Sequence, residues 1–139
     1  MVHLVYCDNK ENELGIILSG EKTMVVRGAA GKKIPHSRVE VGETLFFMEK
    51  GSGKISAMAT VDSVENHAKL TDTEIKSALE QNQPRLQLSA NQKAKWHKKC
   101  LVFVGFKDAR AIEPLAYDHS GGMDDWLILD SIEDVVKNT

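Results

Sequence analysis

Apolar and polar residues alternate along the middle of the chain in a way that predicts a β-hairpin. Residues 54–64 place small and branched apolar side chains at every second position, and residues 44–48 form a shorter apolar run. A period of two residues is that of a strand with one buried face. Gly51-Ser52-Gly53 lies between the two runs and favours a tight reversal. We therefore expect the runs to pair as antiparallel neighbours.

Helical spacing and capping residues predict four helices. Leu14, Ile17 and Leu18 lie at i, i+3 and i+4, which places them on one helical face. Capping boxes, in which Ser or Thr is followed three residues later by Glu or Gln, begin at Thr71 and Ser89. The expected helices cover residues 12–18, about 71–81, 93–99 and 131–136.

Strands are expected in most of the remaining chain. The apolar or β-branched runs cover residues 2–6, 22–27, 100–106 and 126–129, and residues 112–114 continue extended up to a proline. Residues 28–39, which are rich in glycine and cations, and residues 117–125 predict exposed loops. Because the helices are inserted among the strands, this order predicts an α+β protein. Its sheet should form a small, partly open barrel of about five to seven mostly antiparallel strands with inserted and flanking helices.

Composition adds few constraints on function. The 139 residues are 42% hydrophobic and 27% charged, as in ordinary globular proteins, and we expect one domain over residues 1–139. The net charge of −2 gives no overall attraction to nucleic acid, so a polyanion would have to meet local patches. The sequence pattern suggests no secretory or membrane-spanning segment, and we expect a cytoplasmic protein in which Cys7 and Cys100 are buried thiols. We expect no metal and no cofactor.

The stretch from Ser19 to Gly28 places two cations on either side of an apolar strand. Lys22 would act on a ligand as a point charge and Arg27 as a flat fork of donors, so the pair suits an anionic or polar planar ligand. An exposed lysine at a strand edge and a surface ion pair are the simpler alternatives. Strict alternation would send the two side chains to opposite faces. They can share one ligand only if Lys22 belongs to the turn after Gly20 or if the strand bulges.

The loop that follows this strand is a second candidate for ligand binding. It carries Lys32, Lys33, His36 and Arg38 within seven residues. Its permanent cations could engage about two or three phosphates of a nucleic-acid strand. A solvated loop is the simpler alternative, and we favour a functional role because the loop directly follows the candidate strand.

Two tryptophans could stack on a base. Trp96 lies among the lysines of residues 93–99, and Trp126 follows Asp124 and Asp125. For Trp96 we favour the alternative of a core anchor on an amphipathic helix, and for Trp126 core packing is as strong an alternative. The acid pair could bind an exocyclic amine of a base or act as general acid and base, whereas acids on a loop are usually hydrated.

The stretch from Gly20 to Arg27 resembles the signature of the ASCH domain, a branch of the PUA-like superfamily. Residues 41–47 and 51–55 resemble the returning strands of PUA-like barrels. In element order the resemblance extends over the whole chain, whereas its specific motif covers only the stretch from Gly20. The resemblance therefore implies a PUA-like fold.

The resemblance also implies a function. Members of the ASCH family are thought to bind RNA or modified nucleobases in a cleft beside the helix-to-strand junction, and some hydrolyse the amide of an acetylated cytidine. Gly20, Lys22 and Arg27 match the signature. Val25 stands where the family has an acid or, in its amidohydrolases, a threonine, so the stretch supports a binding cleft better than a catalytic one. The candidates to replace the missing acid are Glu49, Glu74 and Glu80.

The sequence thus predicts a protein that binds RNA or a nucleoside-like small molecule in a cleft. A second hypothesis is a small amidohydrolase that acts on an acylated nucleoside such as N4-acetylcytidine, with Lys22 as nucleophile or base. A third is an interaction module whose basic loop recognises an acidic partner. The candidate ligand-binding residues are Lys22, Thr23, Arg27, Lys32, Lys33, His36, Arg38 and Trp126.

Overall fold

The framework of the protein is a curled sheet of six strands. The computed structural model describes residues 1–118 and 125–136. The strands are β1 (Val2–Cys7), β2 (Met24–Ala29), β3 (Thr44–Glu49), β4 (Lys54–His67), β5 (Cys100–Ala116) and β6 (Trp126–Leu129). Their order across the sheet is β2-β5-β4-β3-β1-β6, with β1 and β3 parallel and the other neighbours antiparallel. The α+β architecture and the partly open, mostly antiparallel barrel are therefore confirmed.

Short helices flank the sheet, and their local start signals are confirmed. They are α1 (Glu13–Leu18), α2 (Asp72–Leu86), α3 (Ala90–Lys95) and a 3-10 helix at Ile132–Val135. At Thr71 and Ser89 each hydroxyl accepts a hydrogen bond from the backbone N–H three residues later, and the returning side-chain bond completes both capping boxes. Over residues 1–118 and 125–136, no helix has the length and apolar character needed to cross a membrane.

Two helix ends differ from the prediction. α2 continues past residue 81 to Leu86, although Pro84 lies in its last turn. Leu86 is fully buried and Arg85 is hydrogen-bonded to β4, to β5 and to Thr23, so tertiary contacts stabilise a turn that a proline disfavours. α3 ends before residues 96–99, which lead into β5 without helical structure.

The strand β5 joins two stretches that were predicted separately. Residues 100–106 were predicted as a buried strand and residues 112–114 as extended, and the structure links them in one strand that ends at Ala116, where it pairs with Lys54 at the start of β4. The pairing of β4 with β5 shifts register at three places. Such shifts bend the strands and curl the sheet. The positions of these register shifts depend on the partner strand, so a local pattern of polar residues does not reveal them.

The two faces of β2 lie in different cores. Val25 belongs to the cluster inside the curled sheet, together with Phe106. Met24 and Val26 belong to a second cluster that includes the buried face of α2. Since side chains alternate along a strand, Arg27 shares the inner face with Val25. The fold thus delivers one arginine to the inner side of the sheet.

Candidate ligand-binding cleft

A cleft of about 490 Å³ opens beside the end of β1. Its walls come from β1 and the loop after it, from α1, β2 and α3, and from the β3–β4 turn. The residues that line it are Tyr6, Cys7, Asp8, Asn9, Lys10, Glu13, Arg27, Lys50, Gly51, Gln92, Lys95, Trp96 and Asp125. The cleft therefore lies beside the start of α1 and the second half of β2, and residues 19–23, the helix-to-strand junction that the sequence singled out, do not line it.

Arg27 is the cation at the floor of this cleft, and its side chain is 7% exposed. Its Nη1 donates to the carbonyl of Val26 and its Nη2 to the carbonyl of Tyr6, each at 2.7 Å. Its Cζ lies 5.2 Å from the centroid of the Trp96 ring, which is a cation–π distance. These contacts fix the plane of the guanidinium group.

Glu13 is the buried carboxylate of a cleft whose lining also includes Asp8 and Asp125, and it was not among the residues predicted from the sequence. Its Oε1 lies 3.5 Å from Nη2 of Arg27, and its Oε2 accepts a hydrogen bond of 3.3 Å from Nε2 of Gln92. The side chain is only 4% exposed. The alternatives Glu49, Glu74 and Glu80 do not line the cleft, and Glu74 is engaged in the capping box at Thr71.

A local signal for Glu13 was present in the sequence. Glu13 precedes Ile17 by four residues, so the two share a helical face, and both are buried in α1. The helical spacing predicts Leu18 on the buried face, but Leu18 is 40% exposed. An acid four residues before a buried isoleucine is therefore itself a signal for a buried acid.

Lys22 lies behind Glu13 rather than on the wall of the cleft. The residue precedes β2, and its backbone N–H donates to the carbonyl of Ile16, so it belongs to the turn after Gly20. This is one of the two arrangements that would let it share a face with Arg27. Its Nζ donates to the carbonyl of Leu86 at 2.5 Å, and the residue is 2% exposed.

The surroundings of Lys22 perturb its ammonium group. Burial lowers the pKa of Lys22 to about 8; the charge of Glu13 opposes this shift, and the charge of Arg27 adds to it. Burial, followed by the charge of Glu13, raises the pKa of the neighbouring Cys7 thiol well above its ordinary value. The carboxylate of Glu13 therefore has two cations near it, Arg27 in the cleft and the buried Lys22 outside its lining, together with a neutral thiol.

Thr23 does not line the cleft, because its polar atoms are bonded to Arg85. The Thr23 hydroxyl accepts from Nε of Arg85 at 2.9 Å, and its carbonyl accepts from Nη2 at 3.0 Å. Arg85 also donates to both carboxylate oxygens of Asp62 and to the hydroxyl of Ser63. Thr23 thus joins β2 to α2 and β4.

The predicted basic loop spreads over different surroundings. Lys32, Lys33 and Arg38 are exposed, and Lys33 lines a small pocket that adjoins the cleft through Arg27. His36 is 9% exposed, with its Nε2 at 3.0 Å from the carbonyl of His67. The structure therefore brings Lys33 near the cleft and uses His36 to attach the loop to the end of β4. Whether these residues bind a ligand stays a prediction.

The two tryptophans have different environments. Trp96 is 6% exposed and packs in the second cluster, which includes the buried face of α2; a core position was the alternative we favoured for it. Trp96 also forms part of the cleft wall. Trp126 is 1% exposed and lies in the inner core, although it reaches the small adjoining pocket. Its indole N–H donates to Nδ1 of His3 at 3.0 Å, and Nε2 of His3 lies 2.9 Å from Glu43. Asp124 lies outside the described residues.

Comparisons with known proteins identify the fold. No family model and no curated protein matches this chain. The fold is similar to crystal structures of an ASCH protein from Zymomonas mobilis. One of them has a TM-score of 0.62 and covers 81% of this chain and 71% of that chain. A variant of the same protein has a TM-score of 0.64, with 83% and 75% covered.

Both structures are 13% identical to this chain. At that level the likeness concerns the backbone, so the expected fold, that of an ASCH domain, is confirmed. The roles of Lys22, Arg27 and Glu13 must be argued from their own surroundings.

Proposed function

We propose that this protein binds RNA or a nucleoside-like small molecule in the cleft above Arg27. The observation that carries the proposal is the buried pair of Glu13 and Arg27 at the floor of a cleft that has lysines on its rim. Buried charges are costly unless they are paired, and pairs of this kind in a cleft are frequent at binding sites. A cytoplasmic location, where such ligands are present, is part of the proposal.

The rim supplies attraction for phosphate groups. Lys10, Lys50 and Lys95 are exposed residues that line the cleft, and Lys33 lines the adjoining pocket. Because the whole chain has a net charge of −2, this attraction is local. A ligand with phosphates outside and a planar polar group inside would match the arrangement.

The Trp96 ring has a supporting role in this proposal. Cζ of Arg27 lies 5.2 Å from the ring centroid and Nζ of Lys95 lies 5.0 Å from it. The ring is thus already covered by two cations, which it orients. Tyr6, which is only half-buried and lines the same cleft, is the aromatic side chain better placed to contact a base.

Titration of fluorescently labelled short single-stranded RNAs and of free nucleosides at low salt tests the proposal. We expect Arg27→Ala with Lys22→Ala to weaken binding at least about tenfold, and Lys50→Glu to weaken RNA binding and reduce its salt dependence. Lys107→Glu, on the exposed part of β5, is the control and should bind like the unmodified protein. Absence of binding, or binding that the double variant leaves intact, would overturn the proposal.

An amidohydrolase is the second candidate, and the low pKa of Lys22 favours it. With a pKa of about 8, roughly a tenth of Lys22 is a neutral amine at pH 7, and a carboxylate lies beside it. Hydrolysis of N4-acetylcytidine would add water across the amide and release acetate and cytidine. Chromatography for cytidine tests this, and no turnover above that of Lys22→Met would reject it.

The third hypothesis, an interaction module for an acidic protein partner, is separated by competition. If heparin displaces labelled RNA as well as unlabelled RNA does, the site responds to charge alone, and the module is favoured over a nucleic-acid cleft.

A further inference from the structure

Two buried side-chain atoms lack a hydrogen-bond partner among the described residues, and both belong to one ion pair. They are Oε1 of Glu13, an acceptor, and Nε of Arg27, a donor. Their side chains are 4% and 7% exposed, and both line the cleft. Buried polar atoms are nearly always hydrogen-bonded, so two exceptions at one place need an explanation.

Among the described residues, the contacts of Glu13 and Arg27 leave these two atoms without a hydrogen bond. The backbone carbonyls of Val26 and Tyr6 hold Nη1 and Nη2 of Arg27 and fix its plane. The other oxygen of Glu13 is held by Gln92. Oε1 therefore stays 3.5 Å from Nη2, at ion-pair distance and without a hydrogen bond.

The unpartnered donor and acceptor belong to adjoining parts of the ion pair. Nε and Nη2 share one edge of the guanidinium group, and Oε1 lies 3.5 Å from Nη2. Both atoms are closed to solvent in the described structure, so a ligand at this edge reaches them only when neighbouring side chains move. As a carboxylate, Glu13 can only accept hydrogen bonds.

We propose that Glu13 and Arg27 bind the edge of a nucleobase on which an N–H donor stands next to an acceptor atom. The base N–H would donate to Oε1 of Glu13, and the neighbouring carbonyl oxygen or ring nitrogen would accept from Nε of Arg27. This inference rests on the proposed function and adds which group enters the cleft and which two atoms select it.

The same pair excludes anionic groups from the floor. A phosphate or carboxylate could accept from Nε of Arg27, but its oxygens would face Oε1 of Glu13 with like charge. Such groups are therefore directed to the lysines of the rim. The base lies inside and the phosphate outside, and this orientation separates the site from a simple phosphate-binding pocket.

Nucleosides methylated at this edge test the inference on the unmodified protein. Calorimetric titration compares uridine with 3-methyluridine, cytidine with N4,N4-dimethylcytidine, and adenosine with N6,N6-dimethyladenosine. For every parent that binds, we expect the methylated form to bind about tenfold to a hundredfold more weakly, since a hydrogen bond to a charged group is lost. 5-Methyluridine, whose methyl group lies off this edge, is the control and should match uridine.

Variants of similar size or equal charge assign the effect to the two side chains. Glu13→Gln keeps the size and removes the charge, and Arg27→Lys keeps the charge and removes the guanidinium group with its Nε. Each variant should weaken binding of the parent nucleosides about tenfold or more. Each should also reduce the difference in affinity between the parent and the methylated nucleosides. The exposed controls Glu21→Gln and Arg110→Lys should change neither quantity.

The possible failures are distinguishable. If parent and edge-methylated nucleosides bind equally, or if both variants keep the full discrimination, the base-edge inference is wrong while the binding function stands. If neither nucleosides nor short RNAs bind, the proposed function fails and the inference fails with it. Competition by inorganic phosphate at the cleft floor would also contradict the inference.

Discussion

Two arginines lie near opposite ends of β2, and they differ in how fully they are bonded. The side chain of Arg85 is 36% exposed, yet all three of its nitrogens donate hydrogen bonds, to partners on β4, β5 and Thr23. The side chain of Arg27 is 7% exposed, yet its Nε has no partner among the described residues. Burial alone would rank Arg27 as the structural residue. The bonding pattern separates the two differently: every side-chain nitrogen of Arg85 is bonded within the fold, whereas Arg27 has one unpaired donor, which we propose is used by a ligand.

The largest expected effect comes from removing the fully bonded arginine. Arg85→Met should lower the free energy of unfolding by about 2–4 kcal/mol, because it deletes contacts that join α2 to β4, to β5 and to Thr23. The folded fraction should bind ligand with less than about a twofold change in Kd. Urea unfolding and titration of the same samples measure both quantities.

Arg110→Met is the control for this experiment. Arg110 is exposed and donates only to a nearby carbonyl and to the sulfur of Met58, so its loss should cost less than about 0.5 kcal/mol. The comparison fails if Arg85→Met is as stable as this control, or if it abolishes binding while remaining folded.

The contrast between the arginines also shows what the sequence could predict. Capping boxes, the hairpin turn and the alternation of β2 are local, and each was predicted correctly. The Arg85 network was not, since its partners Thr23 and Asp62 lie 62 and 23 residues away. They meet only through the register of β4 with β5, which three register shifts make irregular.

The cleft was predictable only where its residues are close together in the sequence. Lys22 and Arg27 stand in a local motif, and the turn at Gly20 explains how both come near Glu13. The spacing of Glu13 to Ile17 was a signal that Glu13 is buried, but Glu13 was not among the predicted site residues. Gln92 comes from α3, and its contact with Glu13 spans 79 residues, so no local signal could reveal it.

Lys22 connects the two regions, and its titration gives a second test. Its Nζ donates to the carbonyl next to Arg85, while its charge acts on Glu13 and Arg27. Burial lowers its pKa from 10.5 to about 8 in the folded protein. Between these values the unfolded chain binds more protons than the folded one, so the free energy of unfolding should rise with pH by up to about 1.4 kcal/mol per unit.

The useful window for this test is from about pH 8 to pH 9. Above the ordinary thiol value of 9.0, the raised pKa of Cys7 acts with the opposite sign, because the unfolded thiol then loses a proton that the folded one keeps. Urea unfolding across the window should show a rise in the unmodified protein and in the exposed control Lys107→Met. The rise should be absent in Lys22→Met; an unchanged slope there would mean that Lys22 is not the titrating group.

The smallest expected effect concerns Thr23, which the sequence proposed as a ligand residue and the structure bonds to Arg85. Thr23→Val keeps the shape and removes the hydroxyl that accepts from Nε of Arg85. Because the Arg85 side chain is 36% exposed, water can replace that bond, and we expect a loss of only about 0.5–1.5 kcal/mol in stability with unchanged ligand affinity. In the Arg85→Met background the same change should cost almost nothing, since the partner is already gone. When Thr23→Val is combined with Arg27→Lys, the two losses of stability should simply add. If Thr23→Val instead weakens binding and leaves stability intact, Thr23 contacts the ligand, and the division between a structural arginine and a binding arginine no longer holds.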